Sequence, residues 1–210
     1  SIGQLALGSL VVKNQRVFPV DLIDGALDET HPKVGLMAQI LQTIDSDKNP
    51  SNGITITDET RQAIAQAIQL ATANPEELAA SINTLLSAAS LPTLIDETLA
   101  KDHLRGNLIK EYAGQWNGTF MGDDSGACIV TVSDSGSISG QCSSDQLRDH
   151  FQLTGHLGSS GESAAGDTQT GASFAGVYSR TGAVSGTWSN QRFTNSSGTP
   201  YQGTWNFKKL

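Results

Sequence analysis

The densest set of oxygen ligands in the chain is Asp45-Ser-Asp47-Lys-Asn49-Pro-Ser51-Asn52-Gly53-Ile54. Oxygens at alternate positions suit a hard cation, as in the Asp-x-Asp-x-Asn opening of calcium loops, so Asp45, Asp47 and Asn49 are the expected ligands for Ca2+. A helix is predicted on either side, which also fits. The loop departs from the pattern in two places. Pro50 stands where a calcium loop has Gly, and Ile56 stands where it has its bidentate Glu. Asp58 or Glu59 could supply a late carboxylate only through a longer loop. The alternative is an Asx-turn followed by a helix cap, since Asp and Asn favour both by local hydrogen bonding.

The two cysteines, Cys128 and Cys142, flank the turn Asp134-Ser135-Gly136. A hairpin folded there pairs Val132 with Ile138, Val130 with Gly140, and Cys128 with Cys142, all on one face. Opposed Cβ atoms of an antiparallel pair lie close enough for a disulfide. The alternative is two buried thiols. A disulfide implies an oxidising compartment.

Other reactive groups are dispersed. His31, His103, His150 and His156 form no His-x-x-x-His spacing and no His/Cys pair. Asp123-Asp124 and the group Asp145, Arg148, Asp149 and His150 read as polar loops. There is no Gly-x-Ser-x-Gly elbow and no phosphate-cradling Gly-Lys-Ser/Thr loop. The chain is therefore expected not to be an enzyme; a hydrolase assembled from scattered Asp and His is the remaining catalytic reading.

The elements that would position these residues change character near Tyr112. Before it, Ala, Leu and Ile recur at helical spacing. Pro32 to Ile44 carries Val34, Met37, Ile40, Leu41 and Ile44 as one stripe. A helix from Thr57 to about Thr72 has Ile64, Ala67, Ile68 and Ala71, and Asn74-Pro75 opens another that reaches Ala89. Leu91-Pro92 begins a fourth, ending near Gly114. Leu5, Leu7, Val11, Val12, Val17 and Val20 suggest short extended pieces.

After Tyr112 one spacing recurs in six copies: bulky, x, Gly, x, bulky or Cys. The copies are Trp116-Asn-Gly118-Thr-Phe120, Ile138-Ser-Gly140-Gln-Cys142, Leu153-Thr-Gly155-His-Leu157, Phe174-Ala-Gly176-Val-Tyr178, Val184-Ser-Gly186-Thr-Trp188 and Tyr201-Gln-Gly203-Thr-Trp205. Side chains on a strand alternate faces, so each copy turns a large-Gly-large stripe inward. Short strands of this kind between Ser/Gly/Asp turns predict a meander closing on itself. Strands are expected at about 114–121, 127–133, 136–142, 150–157, 172–179, 182–189 and 200–208. An eighth comes from 158–171 or from Leu5–Val12. Glycine on the inward face permits tight coiling, with rings from adjacent layers leaning into the space. The interior is either fully packed or holds a small apolar ligand against Trp116, Phe120, Tyr178, Trp188 and Trp205.

The formal net charge is −8, with no Lys/Arg cluster, which argues against nucleic-acid backbones and anionic membrane surfaces as partners. No run of about 18 apolar residues exists to span a bilayer. Ser1 to Val12 is apolar, broken by Gly3 and Gly8 and without a basic n-region, so the chain reads as mature or trimmed protein.

Two segments resemble a known family. Val17-Phe-Pro-Val-Asp-Leu22, followed by Ile40 to Ile54, is similar to a stretch near the mature N-terminus of secreted proteins and lipoproteins of gammaproteobacteria. His103-Leu-Arg-Gly-Asn-Leu108 resembles the close of that helical region, and Tyr112 to Thr119 with the Gly-Thr-Trp repeats resembles the β-domain that follows it. The resemblance implies an envelope location and no particular activity. Such proteins usually carry a lipidated Cys at the mature start, which is absent here. The β-domain also looks like calycin barrels, including avidins and the lipoprotein barrels of surface receptors for host proteins.

The expected fold is α+β: an α-helical domain over 1–110, then an antiparallel up-and-down β-barrel of about eight strands over 111–210. The expected role is that of an exported protein of the periplasm, outer-membrane surface or extracellular space. It would bind an envelope or host protein, or a small apolar ligand, through the barrel's open end and loops 122–127, 143–149 and 190–199. A structural or assembly module of the envelope is the alternative.

Overall fold

The computed structural model describes residues 16–63, 75–88 and 90–210. Contacts divide the chain into two compact units, Ser1–Asn107 and Leu108–Leu210. The expected extended pieces at Leu5, Leu7, Val11 and Val12, and the stripe Ile64, Ala67, Ile68 and Ala71, lie outside the described residues.

In the first unit, Val20 is not in an extended piece. Pro19–Leu22 forms a single 3-10 turn, because Pro19 presets φ at its start and the Asp21 carboxylate accepts the Phe18 N–H at 2.8 Å. Helix α1 spans Pro32–Thr43, with Pro at its first position, where an N–H would have no partner. It is buried more widely than a single stripe: Val34 through Ala38, Ile40 and Thr43 are all covered. Its Leu36, Met37 and Ile40, with Ile44, share a core with Ile82 and Leu86 of α3 (Pro75–Ala88). Helix α2 is described over Asp58–Ala63. Buried Glu29 accepts the Arg105 Nε–H at 2.6 Å, and Arg105 also reaches Asp102 at 2.8 Å.

The fourth helix is shorter than expected at both ends. Helix α4 spans Glu97–Lys110. It starts late because Asp96 caps it, accepting the Leu99 N–H at 3.0 Å. The residues before Asp96 give their N–H groups to side chains instead: Leu94 to Asn83 at 2.8 Å and Ile95 to Thr43 at 3.0 Å. Residues 111–113 turn the chain before the first strand begins at Gly114, whose φ is +131°.

The second unit is a closed antiparallel barrel of eight strands in sequence order. These are β1 (Gly114–Gly122), β2 (Gly126–Val132), β3 (Ser137–Ser144), β4 (Asp149–Leu157), β5 (Glu162–Asp167), β6 (Ala172–Tyr178), β7 (Ala183–Thr194) and β8 (Pro200–Lys209), with β8 pairing back onto β1. The eighth strand is β5, from the Gly/Ser-rich stretch 158–171. The other seven strands begin within a residue or two of their expected places, and β7 runs on past its expected end at 189 to Thr194. The β2–β3 turn is made by Gly136 at φ +83°, a conformation only Gly adopts without cost, and a Cβ there would run into the Leu157 carbonyl. The pairing it sets is Val132 with Ile138, Val130 with Gly140 and Cys128 with Cys142.

The bulky members of the stripes fill the barrel. Five of the six stripe glycines face a large partner on a neighbouring strand: Gly186 faces Trp205, Gly203 faces Trp188, Gly118 faces Phe207, Gly140 faces Leu153 and Gly155 faces Ile138, while Gly176 faces Gly186. The space a Cβ would need is occupied. At Gly176 it would meet the Trp205 ring at 2.5 Å, and at Gly203 the Trp188 Nε1 at 2.6 Å. Small-against-large alternation is how so narrow a barrel closes without leaving a void.

Candidate functional site

The aromatic residues expected to bind a ligand are brought together, but against each other. Trp116 packs edge-on to Tyr178 at 4.8 Å, Phe120 to Trp188 at 5.3 Å, and Tyr178 tilts on Trp205 at 6.3 Å. All five are at most 5% exposed. The indole N–H groups are satisfied by carbonyls of the barrel wall. Trp116 donates to Tyr112 at 2.9 Å, Trp188 to Met121 at 3.0 Å, and Trp205 to both Ala175 at 3.2 Å and Thr187 at 3.1 Å. Beside Phe120, Phe174 and Trp188 the residual space is about 30 Å³, room for one water and not for an organic ligand.

Burial pushes the Tyr178 hydroxyl up to about 12. The native state holds the proton more tightly than the unfolded chain, so this group stabilises the fold fully below its ordinary pKa near 10 and loses that contribution as pH rises toward 12. The difference in 295 nm absorbance between wild type and Tyr178→Phe is therefore expected to develop only above about pH 11. A phenolate step near pH 10 would contradict the burial.

The two ends of the barrel differ. At one, residues 108–112 close the opening: Leu108, Ile109 and Tyr112 are buried, and Lys209 Nζ donates to the Glu111 carbonyl at 2.8 Å. The up-and-down order sends the loops 123–125, 145–148, 168–171 and 195–199 to the opposite end. Three of these were expected as a contact surface. The fourth, 168–171, follows β5, whose Ser/Ala/Gly sequence carries no bulky stripe to reveal it.

Aspartates hold this end together. Asp124, 5% exposed, accepts from Ser125 N at 2.7 Å, Ser144 Oγ at 2.6 Å and Gln146 N at 3.2 Å, tying β1–β2 to β3–β4. Asp145 accepts from Ser125 Oγ at 2.8 Å. Asp123 accepts from Gln202 N at 3.0 Å and Asn195 Nδ2 at 3.2 Å, tying the same loop to β7–β8. Arg192 donates through Nη1 to the Gln169 carbonyl and through Nη2 to that of Thr168 at 2.8 Å, fixing loop 168–171. The Asp123-Asp124 pair thus serves as loop anchors. Sequence reading missed the role of Arg192, because its partners are backbone carbonyls of a distant strand end. At this end Leu147 is 40% exposed, and Phe193 and Tyr201 form a half-buried pair with ring centres 5.9 Å apart.

The disulfide Cys128–Cys142 is formed, on the inner face of β2 and β3. Of the expected metal ligands, Asp45 is buried at the C-terminal end of α1, while Asp47 and Asn49 are exposed in the loop that follows. Among the described residues, no three His, Cys, Asp or Glu side chains converge on one point. The His103 and Asn107 side chains lie 2.7 Å from one another. No described helix is long and apolar enough to cross a membrane.

No protein-family model matches the chain, and no curated protein matches it significantly.

Proposed function

We propose that this is a non-enzymatic, exported protein of the bacterial envelope whose barrel presents its loop-bearing end to an envelope or host protein. The observation that carries this reading is the contrast between a filled interior and a pre-ordered end. Nine buried aromatic side chains belong to the barrel's core, among them Phe151, Phe174 and Phe207. Four loops at one end are cross-linked by aspartates and Arg192, and present Leu147 with the Phe193–Tyr201 pair. A rigid end with apolar anchors in a polar rim is what a protein partner needs, because ordering costs have been met before binding. The disulfide supports export, since such bonds persist in oxidising compartments. The closed eight-strand up-and-down order is the one expected of the calycin barrels that the β-domain resembles, and no ligand site is carried over from them.

The experiment is affinity capture by the immobilised full chain from envelope extract, with identification by mass spectrometry. Leu147→Asp and Phe193→Ser are expected to weaken capture about tenfold, as loss of an interface anchor does. Ile129→Asp, at an exposed site on the outer wall, should leave it unchanged. Equal capture by all variants would remove the loop-bearing end from the function. A stoichiometric small molecule extracted from natively purified protein would replace the reading with ligand binding.

A further inference from the structure

The loop after α1 contains a carboxylate that folding leaves half satisfied. Asp45 is 0% exposed. Its Oδ1 accepts the Thr55 N–H at 2.9 Å, and the Thr55 carbonyl accepts the Ser46 N–H at 2.8 Å, so the two ends of the loop close on this side chain. Its Oδ2 is buried without a hydrogen-bond partner. Asp47 stands beside it. The two carboxyl groups lie within side-chain hydrogen-bonding reach of each other, and that of Asp47 accepts from the Asn52 side chain at 2.8 Å and from the Asn49 N–H at 3.0 Å.

Two adjoining carboxylates, one of them fully buried, repel unless a cation or a shared proton lies between them. Among the described residues no ion pair reaches either one. Lys48, within the loop, turns away at φ +57° and donates to the Thr43 carbonyl at 2.7 Å. Glu29 Oε2 is also unpartnered, but Arg105 neutralises that carboxylate.

We propose that residues 45–55 form a calcium site in which Asp45 Oδ2 and the Asp47 carboxylate are the anionic ligands, with Asn49, loop carbonyls and water completing the oxygen shell. Calcium accepts irregular shells of six to eight oxygens, whereas magnesium demands a near-octahedral one, so a flexible mixed set of this kind favours calcium. Two carboxylates place the affinity toward the weak end, with Kd on the order of 10⁻⁴–10⁻³ M, the range of extracellular modules. The site lies within the first unit and does not depend on how the barrel binds its partner.

The test is calorimetric titration of the EDTA-stripped, dialysed full chain with CaCl2, and with MgCl2 in parallel, together with thermal unfolding. Calcium should bind at about one equivalent and raise Tm at millimolar concentration, because a ligand of the native state alone stabilises it. Asp47→Asn, at an exposed position that leaves the core intact, should weaken calcium binding at least about tenfold. Absence of both heat and Tm shift in the folded wild type would overturn the proposal. So would an Asp47→Asn variant that binds as wild type does. If Asp45→Asn raises Tm while wild type ignores calcium, a shared proton fills the gap and the site is not a metal site.

Discussion

Gly186→Val is expected to destabilise the barrel by about 3 kcal/mol, the upper end of overpacking costs, and to lower its Tm by roughly 12 °C or more. The reason is what the new Cβ would meet. It would overlap the Ala175 carbonyl and lie 2.7 Å from the Gly176 Cα, both backbone atoms of β6 that cannot swing aside as a side chain can. Accommodating it means opening the β6–β7 ladder where Trp205 bridges the two strands by hydrogen bonds to Ala175 and Thr187. Thr187→Val, one residue along on the exposed face, should change stability by no more than about 0.5 kcal/mol. Thermal unfolding followed by near-ultraviolet circular dichroism compares the two. Equal tolerance of both substitutions would refute the assignment of the glycines to the inner face.

Loss of the disulfide is expected to cost a similar amount. The bond joins residues 14 apart, and a loop of about 15 residues is worth roughly 3 kcal/mol in the chain-entropy account. Cys128→Ala with Cys142→Ala should therefore lower Tm by roughly 12 °C, since both side chains are also buried in the barrel core and leave small voids. Thiol titration of denatured, unreduced protein should find no free thiol. A double variant as stable as wild type would show that the β2–β3 hairpin is held by its strand ladder and turn alone.

These two effects meet in one design. The disulfide closes the β2–β3 hairpin, and the Gly–Trp crossings close the β6–β7–β8 side. The loop-bearing end is ordered by side chains rather than by strand pairing, so its surface can change with modest cost to the scaffold.

Much of the barrel was legible in the sequence because period-2 alternation is a local property. Trp116, Gly118 and Phe120 declare one face of a strand whatever lies across from them, and the register Cys128–Cys142 follows from one turn and one apolar pair. Strand β5 was less legible: between Glu162 and Asp167 it holds only Ser, Ala and Gly, and it is a strand because its neighbours β4 and β6 offer it two ladders. The start of α4 shows the same limit. Pro92 looks like a helix opening, yet the segment before Asp96 is extended because Asn83 and Thr43, from distant helices, take its N–H groups.

The sequence by itself therefore determined the α-then-β order, the inner face of the strands and the cysteine pair, since each rests on contacts between near neighbours or on a fixed side-chain period. Only the tertiary structure decided that the five aromatic residues fill the barrel instead of lining a cavity. Free volume is the difference between a closed wall and the side chains from all its strands, and no single segment contains that difference. The tertiary structure likewise decided that Asp45 is buried beside Asp47 with one oxygen unpartnered. Burial of that carboxylate depends on where Thr55 and the end of α1 come to rest, not on the alternation of oxygens that first marked the loop.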